Sequence, residues 1–111
     1  MDKVEVYQAA LRRLSEATAA AQAVVRVVTE GARALARWQE VMVSNVSGGG
    51  YPAEVVNRNA PGINAREWLS AEAIHNVLVA FHDARVAVVH AWGAIPQERR
   101  VGLAPPPAWP N

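Results

Sequence analysis

An all-α fold is predicted for this chain of 111 residues by three features of its sequence. Apolar residues recur at alternating steps of three and four from Val4 to Val46. A second stretch, Ser70 to Trp92, is apolar on most of its sides. A glycine-rich break, Ser47-Gly48-Gly49-Gly50, separates the two, and the chain finishes Pro105-Pro106-Pro107-Ala108-Trp109-Pro110-Asn111. The pattern predicts a long N-terminal helix and a shorter antiparallel second helix, forming a helical hairpin or bundle. A long connecting loop and an extended Pro-rich C-terminal tail complete it. In these terms residues 1–104 form a single helical domain and 105–111 a Pro/Trp tail.

Helix 1 is expected over about 2–46. Its seam reads Val4, Tyr7, Leu11, Leu14, Thr18, Ala21, Val25, Val28, Ala32, Leu35, Gln39, Met42 and Val46, apolar except at Thr18 and Gln39. That is a heptad register of coiled-coil type. At about 1.5 Å per residue such a helix would be a rod of about 65 Å. Asp2 suits the N-terminus, where a carboxylate caps free amides and meets the positive end of the dipole. Glu5, Arg12, Arg13, Glu16, Arg26, Glu30, Arg33, Arg37 and Glu40 form a mixed-charge outer face. Gly31 costs about 1 kcal/mol relative to alanine in a helix interior, and marks a bend or a tight crossing.

The three consecutive glycines are expected to end helix 1 by supplying left-handed backbone. Residues 47–63 then form a long loop, read as a solvated connector with Tyr51 and Val55 tucked onto the core and Glu54-Val55-Val56 a candidate extended piece. Asn64-Ala65-Arg66-Glu67 resembles a capping box opening one turn. Ser70 is the expected N-cap of helix 2, with Leu69 and Ile74 at the spacing of a hydrophobic staple. Helix 2 is expected over about 70–92, ending at Gly93 with Pro96 beyond. Its main stripe is Ile74, Val77, Leu78, Phe81, Ala84, Val88 and Trp92. Val79, Val86 and Val89 lie on another side. Residues 97–103 are expected to form one short helical turn, and the proline run an extended polyproline segment.

Length then predicts association. Helix 2, at about 35 Å, covers only the C-terminal half of helix 1 if folded back antiparallel. The seam from Val4 to Val24 is left to the tail, and the second apolar side of helix 2 to nothing in the chain. An exposed stripe of that length is an aggregation liability unless another copy covers it. The expected oligomer interface is Val4, Tyr7, Leu11, Leu14, Val25, Val28, Val79 and Val86. Trp109 is expected to dock the tail, within the protomer or across subunits, or onto another protein.

Composition narrows the function. The hydrophobic fraction of 51% suits a folded chain and the net charge is +1, so no global field recruits nucleic acid or an acidic membrane. With no cysteine, disulfides and thiolate metal sites are excluded. The start, Met-Asp-Lys-Val-Glu, lacks a basic region followed by an apolar core, and no run reaches the length of a membrane span. A cytoplasmic protein without membrane contact is expected, or a virion protein if phage-encoded.

No cofactor is implied and no metal site is expected. His75, His82 and His90 share one side of helix 2, but seven or eight residues apart they lie two turns from one another, too far for one ion within a helix. Gly48 to Gly50 follow a helix and precede no Lys-Ser, so they do not form a phosphate loop. The basic positions Arg12, Arg13, Arg26, Arg33 and Arg37, with Arg99 and Arg100, are the residues a nucleic-acid-binding oligomer would use. Acidic residues interleave with them and favour an ordinary charged face.

Arg85-Val-Ala-Val-Val-His90-Ala-Trp92 is similar to the R-x4-H-x-Y motif of HEPN-type ribonucleases, small dimeric helical proteins. The resemblance covers eight residues, with Trp92 at the Tyr position and Val86 where the family usually has a polar residue. It implies Arg85 and His90 as catalytic residues meeting across a dimer to cleave RNA. The architecture as a whole favours a different reading. In it the chain is a non-enzymatic structural or assembly protein forming a homo-oligomeric helical scaffold, of the kind seen in phage packaging or virion components and bacterial adaptors.

Overall fold

The computed structural model describes residues 2–48 and 50–108. In chain order its elements are α1 (Lys3–Ala36), β1 (Met42–Ser44), β2 (Gly62–Asn64) and α2 (Ala71–Ala94). Single 3-10 turns lie at Ala53–Val55 and Gln97–Arg99. The protein is mostly helical, with a small two-stranded parallel sheet that the sequence reading did not anticipate. The chain divides into two compact units. One comprises residues 1–22 and 75–111, the other residues 23–74.

The core of the first unit lies between the first turns of α1 and the later turns of α2. Tyr7, Ala10 and Leu14 are buried with Val88, Ala91 and Ile95. Val4, Leu11, Phe81, Ala84, Trp92 and Leu103 pack around them. This corrects, as far as Leu14, the expectation that the seam from Val4 to Val24 is left to the tail. Ile95 and Leu103 supply part of the reason, because the segment following α2 adds apolar cover that helix length alone does not reveal. The 3₁₀ turn at Gln97–Arg99 agrees with the short turn expected there.

Tyr7 is the centre of this unit. Its ring lies 5.1 Å from that of Trp92, tilted by 49°. Its hydroxyl donates a 2.7 Å hydrogen bond to the carbonyl of Ala104. The Arg100 guanidinium sits 5.1 Å from the Trp92 ring centroid and donates through Nε to the carbonyl of Ile95. Asp2 does not spend its carboxylate on the helix amides as expected. Both of its oxygens accept from Arg99 Nη2, at 3.0 and 3.1 Å. Pro107 lines one open groove with Leu11, Leu14, Ser15 and Thr18 of α1.

In the second unit α1 ends at Ala36, ten residues before the expected end. Residues 37–40 turn, with Val41 N–H and Glu40 N–H both donating to the Arg37 carbonyl, and Arg37 paired with Glu40. Val41, Met42 and Val43 then leave the helical register. β-branched residues fit a pleated strand better than a helix interior. The strand pairs in parallel with β2, in the register Met42–Gly62, Val43–Ile63 and Ser44–Asn64. Parallel strands require a crossover of a dozen or more residues. That requirement accounts for the length of the connection, which the sequence alone presents as an unusually long loop.

Within that connection Tyr51 stays partly exposed, but its hydroxyl accepts the Val43 amide at 2.8 Å and closes the sheet edge. Val55 is exposed and lies in the 3-10 turn, contrary to both readings given to it. Asn45 leaves β1 with φ of 60°. Asparagine tolerates this left-handed conformation better than other non-glycine residues. Its side-chain amide donates to Asn64 Oδ1, which also accepts the Arg66 amide. Asn64 thus caps its turn through the Arg66 amide and not in the capping-box arrangement expected with Glu67, whose amide bonds the Asn64 carbonyl instead. Ser70 caps α2 by accepting the Ala73 amide at 3.1 Å. α2 passes through Gly93 and ends at Ala94, where Pro96 forbids continuation.

Gly31 marks a close crossing and not a helix break. A Cβ there would overlap Cζ3 of Trp68 and come within 2.9 Å of its Cη2. The indole therefore lies directly on the helix backbone.

Two measurements check this account. Burial pushes the Tyr7 phenol above its ordinary pKa of 10.0. A raised folded-state pKa gives stability that is complete below the unfolded value and lost as pH rises through the folded one. Tyr7→Phe should cost about 1 kcal/mol in urea denaturation at neutral pH, from the lost hydrogen bond. The same variant should show a smaller further loss than the parent above pH 10. Asn45→Val should cost about 1–2 kcal/mol by placing a β-branched residue at positive φ, whereas Asn45→Gly should cost less.

Candidate self-association surface

The surface of interest is built on the side of α2 that its own core leaves open. One seam of α2, with Phe81, Ala84, Val88 and Ala91, faces the core of the first unit. A second seam runs through His75, Val79, His82, Val86 and Val89 at steps of four, three, four and three. Positions 79 and 81, or 86 and 88, differ by about 200° of helical arc, so the two seams lie on opposite sides of one helix. Val79, Val86 and Val89 are 40%, 52% and 51% exposed. Leu78, expected on the core stripe, is also exposed and widens this side. His82, Arg85, Val86, Val89 and His90 line an open groove along it.

A second uncovered apolar stretch lies in the other unit. Val25 and Val28, successive seam positions of α1, are 61% and 38% exposed. The expected interface residues therefore fall into two groups. Val25, Val28, Val79 and Val86 face solvent. Tyr7 and Leu14 are buried in the core of the first unit, with Val4 and Leu11 packed against it. The heptad pattern of α1 was legible as a seam, but it could not show which part is used within the chain.

Arg85 and His90 border the same groove on α2. Five residues apart on a regular helix, they are separated by about 140° of arc, with Val86 and Val89 between them. Arg85 is half-buried and His90 exposed. Among the described residues, no group of three or more His, Cys, Asp or Glu side chains is gathered as a metal site.

The basic residues separate in the same way. Arg12 and Arg13 are exposed on α1. Arg99 and Arg100 are engaged within the chain, by Asp2 and by Trp92 with the Ile95 carbonyl respectively. Trp109, the expected docking residue of the tail, lies outside the described residues. No helix among the described residues is long and apolar enough to cross a membrane.

No family model, no curated protein and no solved structure matches this chain.

The Asp2–Arg99 pair is half exposed, so its contribution is small. A double-mutant cycle with Asp2→Asn and Arg99→Ala should give a coupling of about 0.2–1 kcal/mol. The coupling should shrink as salt is raised.

Proposed function

We propose that this chain is a non-enzymatic structural or assembly protein. Its helices pair antiparallel in the protomer, and the protomer joins copies of itself into a homo-oligomeric helical scaffold. The observation that carries this reading is the second heptad seam of α2, Val79, His82, Val86 and Val89, left in solvent on the side opposite the core. A seam with steps of three and four accepts the knobs of another helix of the same period. A second copy of the chain supplies such helices at equal concentration, and the uncovered Val25 and Val28 of α1 offer a further contact of the same type.

Charge supports the reading as well. The net charge of +1 is too small to hold copies apart. The arginines that a nucleic-acid role would draw on from the tail, Arg99 and Arg100, are committed within the protomer. Whether the assembly belongs to a virion or to a cellular adaptor is a question of partners, and the uncovered seams are equally suited to both.

The test is the absolute mass in solution, by light scattering on a size-exclusion column and by native mass spectrometry, over a range of concentrations. The parent should give a defined multiple of 12.0 kDa. Val86→Glu should raise the dissociation constant at least about tenfold, because it removes about 1.5–3 kcal/mol of valine burial and places a charge in the seam. Its unfolding midpoint as a protomer should be unchanged, since Val86 is exposed there. A parent that remains a monomer at all concentrations contradicts the proposal.

A further inference from the structure

The second unit holds a cavity that self-association does not use. Val27, Glu30 and Gly31 of α1 form one wall, and Gly62, Ile63, Asn64, Glu67 and Trp68 of β2 and the following turn form the other. Its volume is about 70 Å³. That is far below the several hundred Å³ of a pocket for a whole drug-sized ligand, and suits a single compact head group. The wall residues differ sharply in character. Trp68 presents an indole fixed against the Gly31 backbone, in a space that any larger residue at position 31 would fill.

Glu30 and Glu67, both exposed, line the same cavity. Neither forms an ion pair among the described residues. For Glu30 this holds although Arg26 and Arg33 stand four residues before it and three after it, the spacings at which helical pairs form. No cationic side chain lines the cavity. A cavity lined by an indole and two acidic residues, with no cationic residue among its lining, is complementary in character to an organic cation, which an aromatic ring attracts through its quadrupole and carboxylates through charge.

A second, wider space opens from the same residues. Leu35, Val43, Ile63, Ala65 and Trp68 line an open groove of about 330 Å³ that is almost wholly apolar. Ile63 and Trp68 belong to both spaces. The pair thus offers a small acidic, aromatic notch for a charged head and an adjoining apolar channel for a short tail.

We propose that this unit binds a small amphipathic organic cation, with a guanidinium or ammonium head between Trp68, Glu30 and Glu67 and an apolar tail along Ile63, Leu35 and Val43. The proposal does not depend on the oligomeric state, because every residue in it belongs to residues 23–74.

The probe is n-hexylguanidinium, titrated into the 15N-labelled full chain while the indole N–H signals are followed by NMR. Trp68→Phe assigns the Trp68 signal. The neutral isostere n-hexylurea, of the same shape, is titrated in parallel. The guanidinium should move the Trp68 signal saturably, with the urea at least about tenfold weaker. Glu30→Gln and Glu67→Gln should each weaken binding several-fold and together at least about tenfold. Both positions are exposed, so these variants should keep the parent's spectrum in the absence of ligand. Gly31→Ala should weaken binding by displacing the indole. Equal binding of the urea, or unchanged affinity in the double glutamine variant, would overturn the assignment of a cation site. So would a Trp68 signal that does not move.

Discussion

Tyr7 is the residue on which the first unit depends. It is a large side chain with a polar end, buried almost completely, and such a group is stable only if its hydroxyl finds a partner. The Ala104 carbonyl is that partner. One hydrogen bond therefore fixes the distance between the start of α1 and the segment after α2, 97 residues further on. The ring meanwhile fixes Trp92, and Trp92 in turn seats Arg100. Aromatic stacking, a cation over an indole and a phenol hydrogen bond thus join three parts of the chain at one point. The apolar cluster of Leu14, Val88, Ala91 and Ile95 completes the enclosure.

The second unit depends on a backbone constraint instead. Two three-residue strands pair in parallel, so the chain between them must return to its starting end. The long, polar, glycine-rich connection follows from that geometry. Asn45 turns the chain out of the first strand at positive φ, and Tyr51 bonds the Val43 amide from outside. The approach of Trp68 to α1 needs a glycine where they meet, and Gly31 is there at some cost to helix propensity. Trp68 stays partly exposed there and lines one cavity with Glu30 and Glu67.

Each helix carries more apolar surface than its protomer covers, and this links fold to proposed function. α2 buries one seam and leaves another exposed on its opposite side. α1 buries its early seam positions in one unit and leaves Val25 and Val28 exposed in the other. Among the exposed apolar residues, Val25 and Val28 of α1 and Val79, Val86 and Val89 of α2 keep heptad spacing, whereas Val6, Val55, Val56 and Val101 lie outside these seams. Periodicity of this kind is the feature on which the proposed self-association rests.

The sequence by itself determined that the chain is mostly helical, where α2 begins, that Ser70 caps it and that a short turn follows Pro96. These are local matters, set by hydrophobic period, capping chemistry and proline geometry within a few residues of each position. It also raised the expectation that the early seam of α1 would lack a helical partner, which the packing of Tyr7 and Leu14 against α2 corrects. Only the tertiary structure decided that α1 stops at Ala36, because Met42 continues the heptad pattern and yet, with Val43 and Ser44, finds a strand partner about twenty residues away. It likewise decided that Tyr7 and Leu14 serve the protomer's own core while Val79 and Val86 remain outside. A seam records that a residue is apolar and on one side of a helix. Which surface meets it is settled by contacts distant in sequence, and no local pattern carries that information.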